Sequence, residues 1–434
     1  MNPTATDREQ VLATLRTANE LFSQRATGAS VPELNHFDPE TAAVLSGHLA
    51  EAWNWVHTDG RDEETAEMVG DGFDYVSHHP AVSLIQAAMD EHADAHPEAL
   101  AAKEFTPASA LADMDTKAAS VTAFPPVDVL LDHLLNLVKD KPPFPVPASP
   151  GAFTFALPEQ CRVALVGDFG TGKPRAIRVA QAIAARAPHH VIHLGDVYPS
   201  GTRSRVQKRF IDVWNEHGPA EAKFWALNGN HEMDAKGEGY FEVLLPWCGQ
   251  PGSFFSLQNQ YWKLIGLDTA YEDHDLQPEQ LDWLNERLSE GTSHNILLSH
   301  HQMFSAIDPR PHKNRDRLPR SVGSEVDVGR IFAWLWGHEH RFLSYARDTR
   351  FGGYLARAIG HGGKTITYDV GVHQGEDFAP RVTHYWGIRR PGTANECLNG
   401  FALFDFDGPR IKIDYVDENG TSRYTEVWPD APLA

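Results

Sequence analysis

Cysteine is scarce. Cys161, Cys248 and Cys397 are the only three in 434 residues; far apart, odd in number and without a CxxC pair, they give no disulfide framework and fit a reducing compartment. Positive charge is short as well: 38 Lys and Arg stand against 59 Asp and Glu, a formal net charge of −21. That balance argues against a general nucleic-acid binder and against docking on an anionic membrane, since phosphate contacts need a basic face. No apolar run approaches the length that spans a bilayer, and the start, MNPTATDREQVLATL, is acidic and lacks a basic-then-apolar signal pattern. A cytoplasmic protein with no membrane and no nucleic-acid partner is the expectation. Histidine, in contrast, is plentiful: there are 23, many in the second half, where metal or proton chemistry can use them.

The first third reads as helical. VLATLRTANELF, PETAAVLSGHLAEAWNWV and VDVLLDHLLNLVKD carry apolar residues at three- and four-residue spacing. DKPPFPVPASPGAF follows, and its prolines cannot continue a helix, so a boundary falls near Pro150. This divides the chain into a helical extension, 1–150, and a second domain, 151–434. The texture then changes to short apolar runs ending in polar turns: RVALVGD, HVIHLGD, KFWALNGNHE, NILLSHH and FAWLWGHEH. Between the first two lies a helix from Pro174, with Ile177, Ala180, Ile183 and Ala187 along one face. Strand–helix–strand order predicts an α/β core. The tail, GFALFDFDGPRIKIDYVDENGTSRYTEV, alternates around DG and NG and predicts antiparallel hairpins.

GDFGTGK, from Gly167 to Lys173, fits a phosphate loop up to its last position, where Pro174 replaces the Ser or Thr that would hold magnesium. Other chemistry uses Asp168 better. Five apolar runs end in Asp168, Asp196, Asn230 with His231, His300 with His301, and His338 with His340. Ligands of α/β sheets bind beyond such carboxyl ends. A mixed set of carboxylate, amide and imidazole suits zinc, iron or manganese rather than calcium or magnesium. Two ions sharing a carboxylate can clamp a phosphate and generate a hydroxide nucleophile.

GDFG, GDVY, GNHE, SHH and GHEH, in that order, resemble the motif series of the calcineurin-like metallophosphoesterases, over roughly Arg162 to Glu426. The resemblance implies a β-sandwich flanked by helices (αββα-like), two transition-metal ions (Mn, Fe or Zn), and hydrolysis of a phosphate ester by a metal-bridging hydroxide. The substrate would be a phosphate-ester small molecule or a phosphorylated partner, with monoesterase and diesterase both open. Position by position, Asp168 would bind the first ion, Asp196 would bridge, and Asn230, His300 and His338 would hold the second. His340 would complete the first. His231 would bind no metal but assist the leaving group, with Glu232 beside it helping to set its pKa.

Two departures stand out. The usual first motif is Asp-x-His, but Gly170 occupies the histidine position. The purple acid phosphatase branch also has Gly there and supplies a Tyr three residues after the bridging Asp; here that residue is Pro199, and the nearby tyrosine is Tyr198. The spacing therefore predicts a first metal site that is short of one protein ligand, weaker or differently completed, with Tyr198 reaching it only if the loop is rearranged, and no tyrosinate–iron chromophore is expected. Around the site, His301 reads as a second-layer partner, a substrate contact or a packed histidine. The basic stretch FSAIDPRPHKNRDRLPR offers Arg310, His312, Lys313 and Arg315 to a substrate phosphate, or is a solvated loop. RAIGHGGKT, around His361, packs near the site or is a tight turn. Two other functions stay open: a phosphate-loop nucleotide binder, and a non-catalytic or mononuclear metal-binding module that recruits a partner through its helical third.

Overall fold

Strand β2 (Gln160–Val166) is apolar and buried from Val163 onward, and Val191 and Ile192 form the buried centre of β3 (His190–His193), because both faces are covered there. In β2, Val163 and Leu165 enter the core between two sheets, while Ala164 and Val166 pack under helices outside, the two-residue alternation of a doubly buried strand. The computed structural model describes residues 8–56, 68–69, 72–73, 77, 79–95, 127–149, 151–291, 294–307, 317–366, 371–393 and 396–429.

Apart from a short antiparallel pair, Met68–Val69 with Gly72–Phe73, the remaining strands, in chain order with β1 first, are β1 (Thr154–Ala156), β4 (Lys223–Ala226), β5 (Phe255–Gln258), β6 (Trp262–Gly266), β7 (His294–Ser299), β8 (Ile331–Trp336), β9 (Phe342–Tyr345), β10 (Leu355–Ile359), β11 (Val382–Tyr385), β12 (Gly400–Asp407), β13 (Arg410–Asp417) and β14 (Ser422–Trp428). One sheet has six strands in the order β14-β13-β12-β2-β3-β4, and the other has eight, β11-β9-β10-β8-β7-β6-β5-β1. Their inner faces meet through Leu165, Ile192, Trp262, Leu298, Leu335 and Phe404, all buried. The tail forms the expected hairpins: β12 pairs antiparallel with β13 and β13 with β14, with Gly408 and Gly420 at positive φ in the turns. The architecture is the expected helix-flanked β-sandwich.

The helix after β2 runs Pro174–Ala184 and buries Ala176, Val179, Ala180 and Ile183. It starts with proline in its first turn, where the missing N–H costs nothing. It ends before Ala187, which is exposed at φ 44° rather than on the apolar face, a correction to the longer helix expected.

The N-terminal region folds as helices α1 (Arg8–Ala26), α2 (Pro39–Asn54), α3 (Pro80–Ala95) and α4 (Val127–Leu134). They share a core of their own, including Leu15, Leu45, Leu49, Ile85 and Leu134, into which Ala235 of the second region also inserts. Residues 140–147 form neither helix nor strand. The expected boundary residue, Pro150, lies outside the described residues. Helix α3 docks on the segment after β3 through Asp90–Arg209 (2.8 Å) and Asp94–Arg205 (2.8 Å).

Candidate metal centre

The parallel strands β2, β3 and β4 of one sheet and β7 and β8 of the other direct their carboxyl ends to one edge of the sandwich. Asp168, Asp196, Asn230, His300, His338 and His340 all follow those ends. The chain turns sharply at several of them: Asp168, Asp196, His338 and His340 have φ of 56°, 81°, 64° and 45°. Left-handed backbone costs about 1–2 kcal/mol per non-glycine residue, and its clustering at one place is a mark of function.

Two groups of ligand atoms form there, and Asp196 belongs to both. One is Asp196, His300 and His338; the other is Asp168, Asp196 and His340. In the first group, His300 Nδ1 donates to the Leu194 carbonyl (2.9 Å), which leaves its Nε2 as a bare lone pair. That atom faces Asn230 Oδ1 at 3.0 Å and Asp196 Oδ1 at 3.3 Å. His338 Nδ1 stands 3.0 Å from the same amide oxygen and 3.2 Å from His300 Nε2. Oxygen and nitrogen lone pairs that converge this closely repel one another unless a proton or a cation lies among them. Donors about 2.0–2.2 Å from a shared ion stand about 3 Å apart, as these do, so the donor set fits a metal.

Ring geometry separates this group from a third set of imidazoles, His274, His301 and His338. Two imidazoles on one tetrahedral ion have centroids about 5 Å apart. His300 and His338 are at 5.0 Å. His274 and His301 have centroids 3.8 Å apart with their planes tilted by 33°, too close to share an ion. The sequence reading missed His274, which no motif marks.

Beside the second group stands Tyr198, the residue that a rearranged loop could bring to it: its hydroxyl lies 2.9 Å from Asp168 Oδ1, 3.0 Å from Asp196 Oδ2 and 2.7 Å from His340 Nε2. The segment after β3 is extended beside Gly170, with a parallel bridge from Gly170 to Val197 and Tyr198 N bonded to Gly170 O (2.9 Å). Side chains two apart in an extended chain share a face, so Tyr198 joins Asp196 while Val197 is buried in the outer core. Gly170 is part of the same arrangement. A Cβ there would come within 2.6 Å of Val197 Cα and 2.8 Å of Asp196 O, so a histidine cannot occupy this backbone.

His231 is fully buried; its Nδ1 donates to the Pro199 carbonyl (2.6 Å) and its Nε2 stands 3.9 Å from Asp196 Oδ2. Glu232, expected to help set its pKa, interacts with it through charge alone; one position round the helix, it accepts from Gly229 N (2.8 Å) and Asp196 N (3.1 Å). The carboxylate against the ring is Asp234 Oδ2, at 3.5 Å, the i,i+3 neighbour on one helical face. Burial, then the Asp196 charge, push the Glu232 carboxyl up to about 8. Burial also raises Asp168; at Asp196 burial is outweighed by His300, His231 and His340, which hold that carboxyl below its ordinary value.

The glycine-rich loop is not a phosphate cradle. The amides of Gly167, Asp168, Gly170 and Thr171 bond to Ile359 O, Gly195 O, Asp196 O and Phe169 O, so they are not turned outward as a nest for phosphate requires. His301 is fully buried against the rings of His300 and His338 (4.9 and 4.8 Å), its Nδ1 bonded to Thr269 O at 2.9 Å. Arg310, His312, Lys313 and Arg315 lie outside the described residues. RAIGHGGKT does pack beside the site: Gly362 N bonds to Gly167 O and Lys364 N to Asp168 O. His361 itself turns away, onto Trp386 (4.9 Å), and burial pushes its pKa down to about 3. Lys364, unnoticed in the sequence, places its Nζ 5.5 Å from the Tyr198 ring centroid.

Among known proteins, a stretch of 133 residues is 31% identical to a probable cyclic nucleotide phosphodiesterase of Synechococcus sp., covering 30% of this chain and 48% of that protein. The chain thus spans about half the length of this curated relative. Among solved structures, a purple acid phosphatase from yellow lupin (Lupinus luteus) is 14% identical, with 62% of this chain and 54% of that one covered and a TM-score of 0.44. GAP50, described as the anchor in the inner membrane complex of Plasmodium, is 14% identical over 62% of this chain and 88% of its own, with a TM-score of 0.45. Among the described residues no helix is long and apolar enough to cross a membrane. Residues 161–342 match the family described as calcineurin-like phosphoesterase.

Proposed function

We propose that the chain hydrolyses a phosphate ester at a site holding two transition-metal ions. Asp168, Asp196, His340 and Tyr198 would hold the first, and Asp196, Asn230, His300 and His338 the second. The observation that carries this reading is the membership of Asp196 in both ligand groups, since a shared carboxylate is what keeps two ions together. Such ions, when bound, supply Lewis acidity toward phosphoryl oxygen and lower the pKa of water. Manganese, iron and zinc all suit the donors.

The remaining work falls to the protein. His231 has its Nδ1 proton fixed on Pro199 O, so Nε2 is the atom available to the ester. Protonated at both nitrogens, it gives the Nε2 proton to the leaving oxygen, and Asp234, 3.5 Å from Nδ1, favours that charged state. His301 and His274 line the histidine-rich side of the second ion, and Arg310 and His312 are proposed to meet substrate phosphate. Residues 151–434 would form the catalytic domain and 1–150 its helical extension. The name of the Synechococcus relative makes a cyclic nucleotide the first natural ester to try.

The test is turnover of p-nitrophenyl phosphate, bis-p-nitrophenyl phosphate and a cyclic nucleotide by protein loaded with manganese, zinc or iron. The reading expects hydrolysis of at least one ester that disappears in Asp196→Asn. A folded, metal-loaded protein inactive on all three would favour the non-catalytic module.

A further inference from the structure

The helical N-terminal region, which no motif explains, reaches the candidate site at one carbonyl. Ser83, fully buried on α3, donates its hydroxyl to Pro199 O. That oxygen is also the acceptor of His231 Nδ1. One carbonyl therefore accepts a hydrogen bond from the N-terminal region on one side and from the imidazole on the other. The rest of α3 holds the same segment. Asp90 binds Arg209, which donates to Tyr198 O at 3.1 Å, so the two consecutive carbonyls of Tyr198 and Pro199 are both fixed from α3. The helix carrying His231, Asn230–Asp234, packs directly on α3.

We propose that Ser83 is a positioning residue for His231: by fixing the Pro199 carbonyl it holds the imidazole in its Nδ1–H form with Nε2 toward the ester. The role assigned to His231 rests on the phosphoesterase reading; the positioning itself does not. An imidazole that donates from Nδ1 to a carbonyl has its tautomer and ring plane set by that carbonyl. Two donors on the two lone pairs of one carbonyl oxygen define its direction more tightly than one. The N-terminal helices would thereby be a working part of the site rather than an appendage to it.

The experiment uses the full chain with histidine labelled with nitrogen-15, and reads the His231 ring nitrogens by NMR in wild type, Ser83→Ala, Ser83→Thr and Asp94→Asn. Wild type is expected to show the Nδ1–H form, Ser83→Ala a mixture of tautomers, and Ser83→Thr, which keeps the hydroxyl, the wild-type pattern. Asp94→Asn weakens the same docking helix away from Pro199 and is expected to keep the wild-type pattern too. A wild-type pattern in Ser83→Ala, or an equal change in Asp94→Asn, overturns the proposal, the latter because general loosening would then explain it. Kinetics give the second arm. A leaving group that needs its proton should suffer more, so Ser83→Ala should lose about tenfold in kcat on phenyl phosphate and less on p-nitrophenyl phosphate. Equal activity of Ser83→Ala and wild type on both esters overturns the positioning while the phosphoesterase reading stands. A wild type that shows the Nδ1–H form, loses it in Ser83→Ala and hydrolyses neither ester leaves the positioning intact and removes that reading.

Discussion

The Tyr198 hydroxyl stands 2.7 Å from His340 Nε2, and it can do so because residue 170 has no side chain. The strand segment that carries Tyr198 into the site runs against Gly170, where any Cβ would strike Val197 Cα at 2.6 Å. The missing histidine and the nearby tyrosine are thus one rearrangement of the candidate first metal site.

Replacing Tyr198 by Phe removes one oxygen donor and leaves the ring packing in place. Affinity for the more weakly held ion is expected to fall by about 10–100-fold, read by metal titration. Wild type loaded with iron(III) is expected to absorb in the visible through a tyrosinate–iron(III) band, and the Phe variant to lack it. A colourless iron(III)-loaded wild type would remove Tyr198 from the ligand set.

Restoring the family's usual residue should not restore the usual site. Gly170→His is expected to lower stability by about 1–3 kcal/mol through overpacking, seen as a lower thermal midpoint without a gain in metal affinity. A variant as stable as wild type that binds the first ion more tightly would contradict the steric account.

His231→Ala is expected to reduce kcat by about 10²–10⁴-fold, the usual worth of a general acid, while metal content stays at the wild-type level. Asp234→Asn keeps the ring in place and should cost less. Loss of metal in His231→Ala would make it a ligand rather than an acid.

The seam between α3 and the catalytic region has a pH signature. The hydrogen bond with His133, ahead of the opposing effect of burial and a further bond from Ser204, lowers the Glu91 carboxyl from 4.5 to about 2. A carboxyl depressed on folding stabilises fully above its unfolded pKa and loses that contribution as pH falls through the folded one. Resistance of the α3 segment to proteolysis should therefore fall between about pH 4.5 and 2. Glu91→Gln should flatten that dependence; an unaltered profile in the variant would exclude Glu91 as its source.

Much of this was legible in the sequence. Apolar runs such as RVALVGD end where the sheets end, and the polar residue beyond each run points to the same edge, so Asp168, Asp196, Asn230, His300, His338 and His340 could be gathered without coordinates. Tyr198 was harder. Counting from Asp196 to a family position gives Pro199, whereas the alternation of an extended chain gives Tyr198, and only the contact with Gly170 shows that the chain is extended there. Asp234 was hidden behind the adjacent Glu232, because proximity in sequence is not a shared helical face. His274 and Ser83 come from distant segments, 26 residues before His300 and 148 residues before His231, and nothing local marks either.

The central claim is that Asp196 joins two ions in one site. Elemental analysis of the purified full chain, wild type beside Asp196→Asn, tests it most directly. The account predicts about two transition-metal ions per wild-type chain, with both occupancies reduced in Asp196→Asn. One ion or none in active, folded wild type, or a variant that loses only one ion and keeps full turnover, would contradict it.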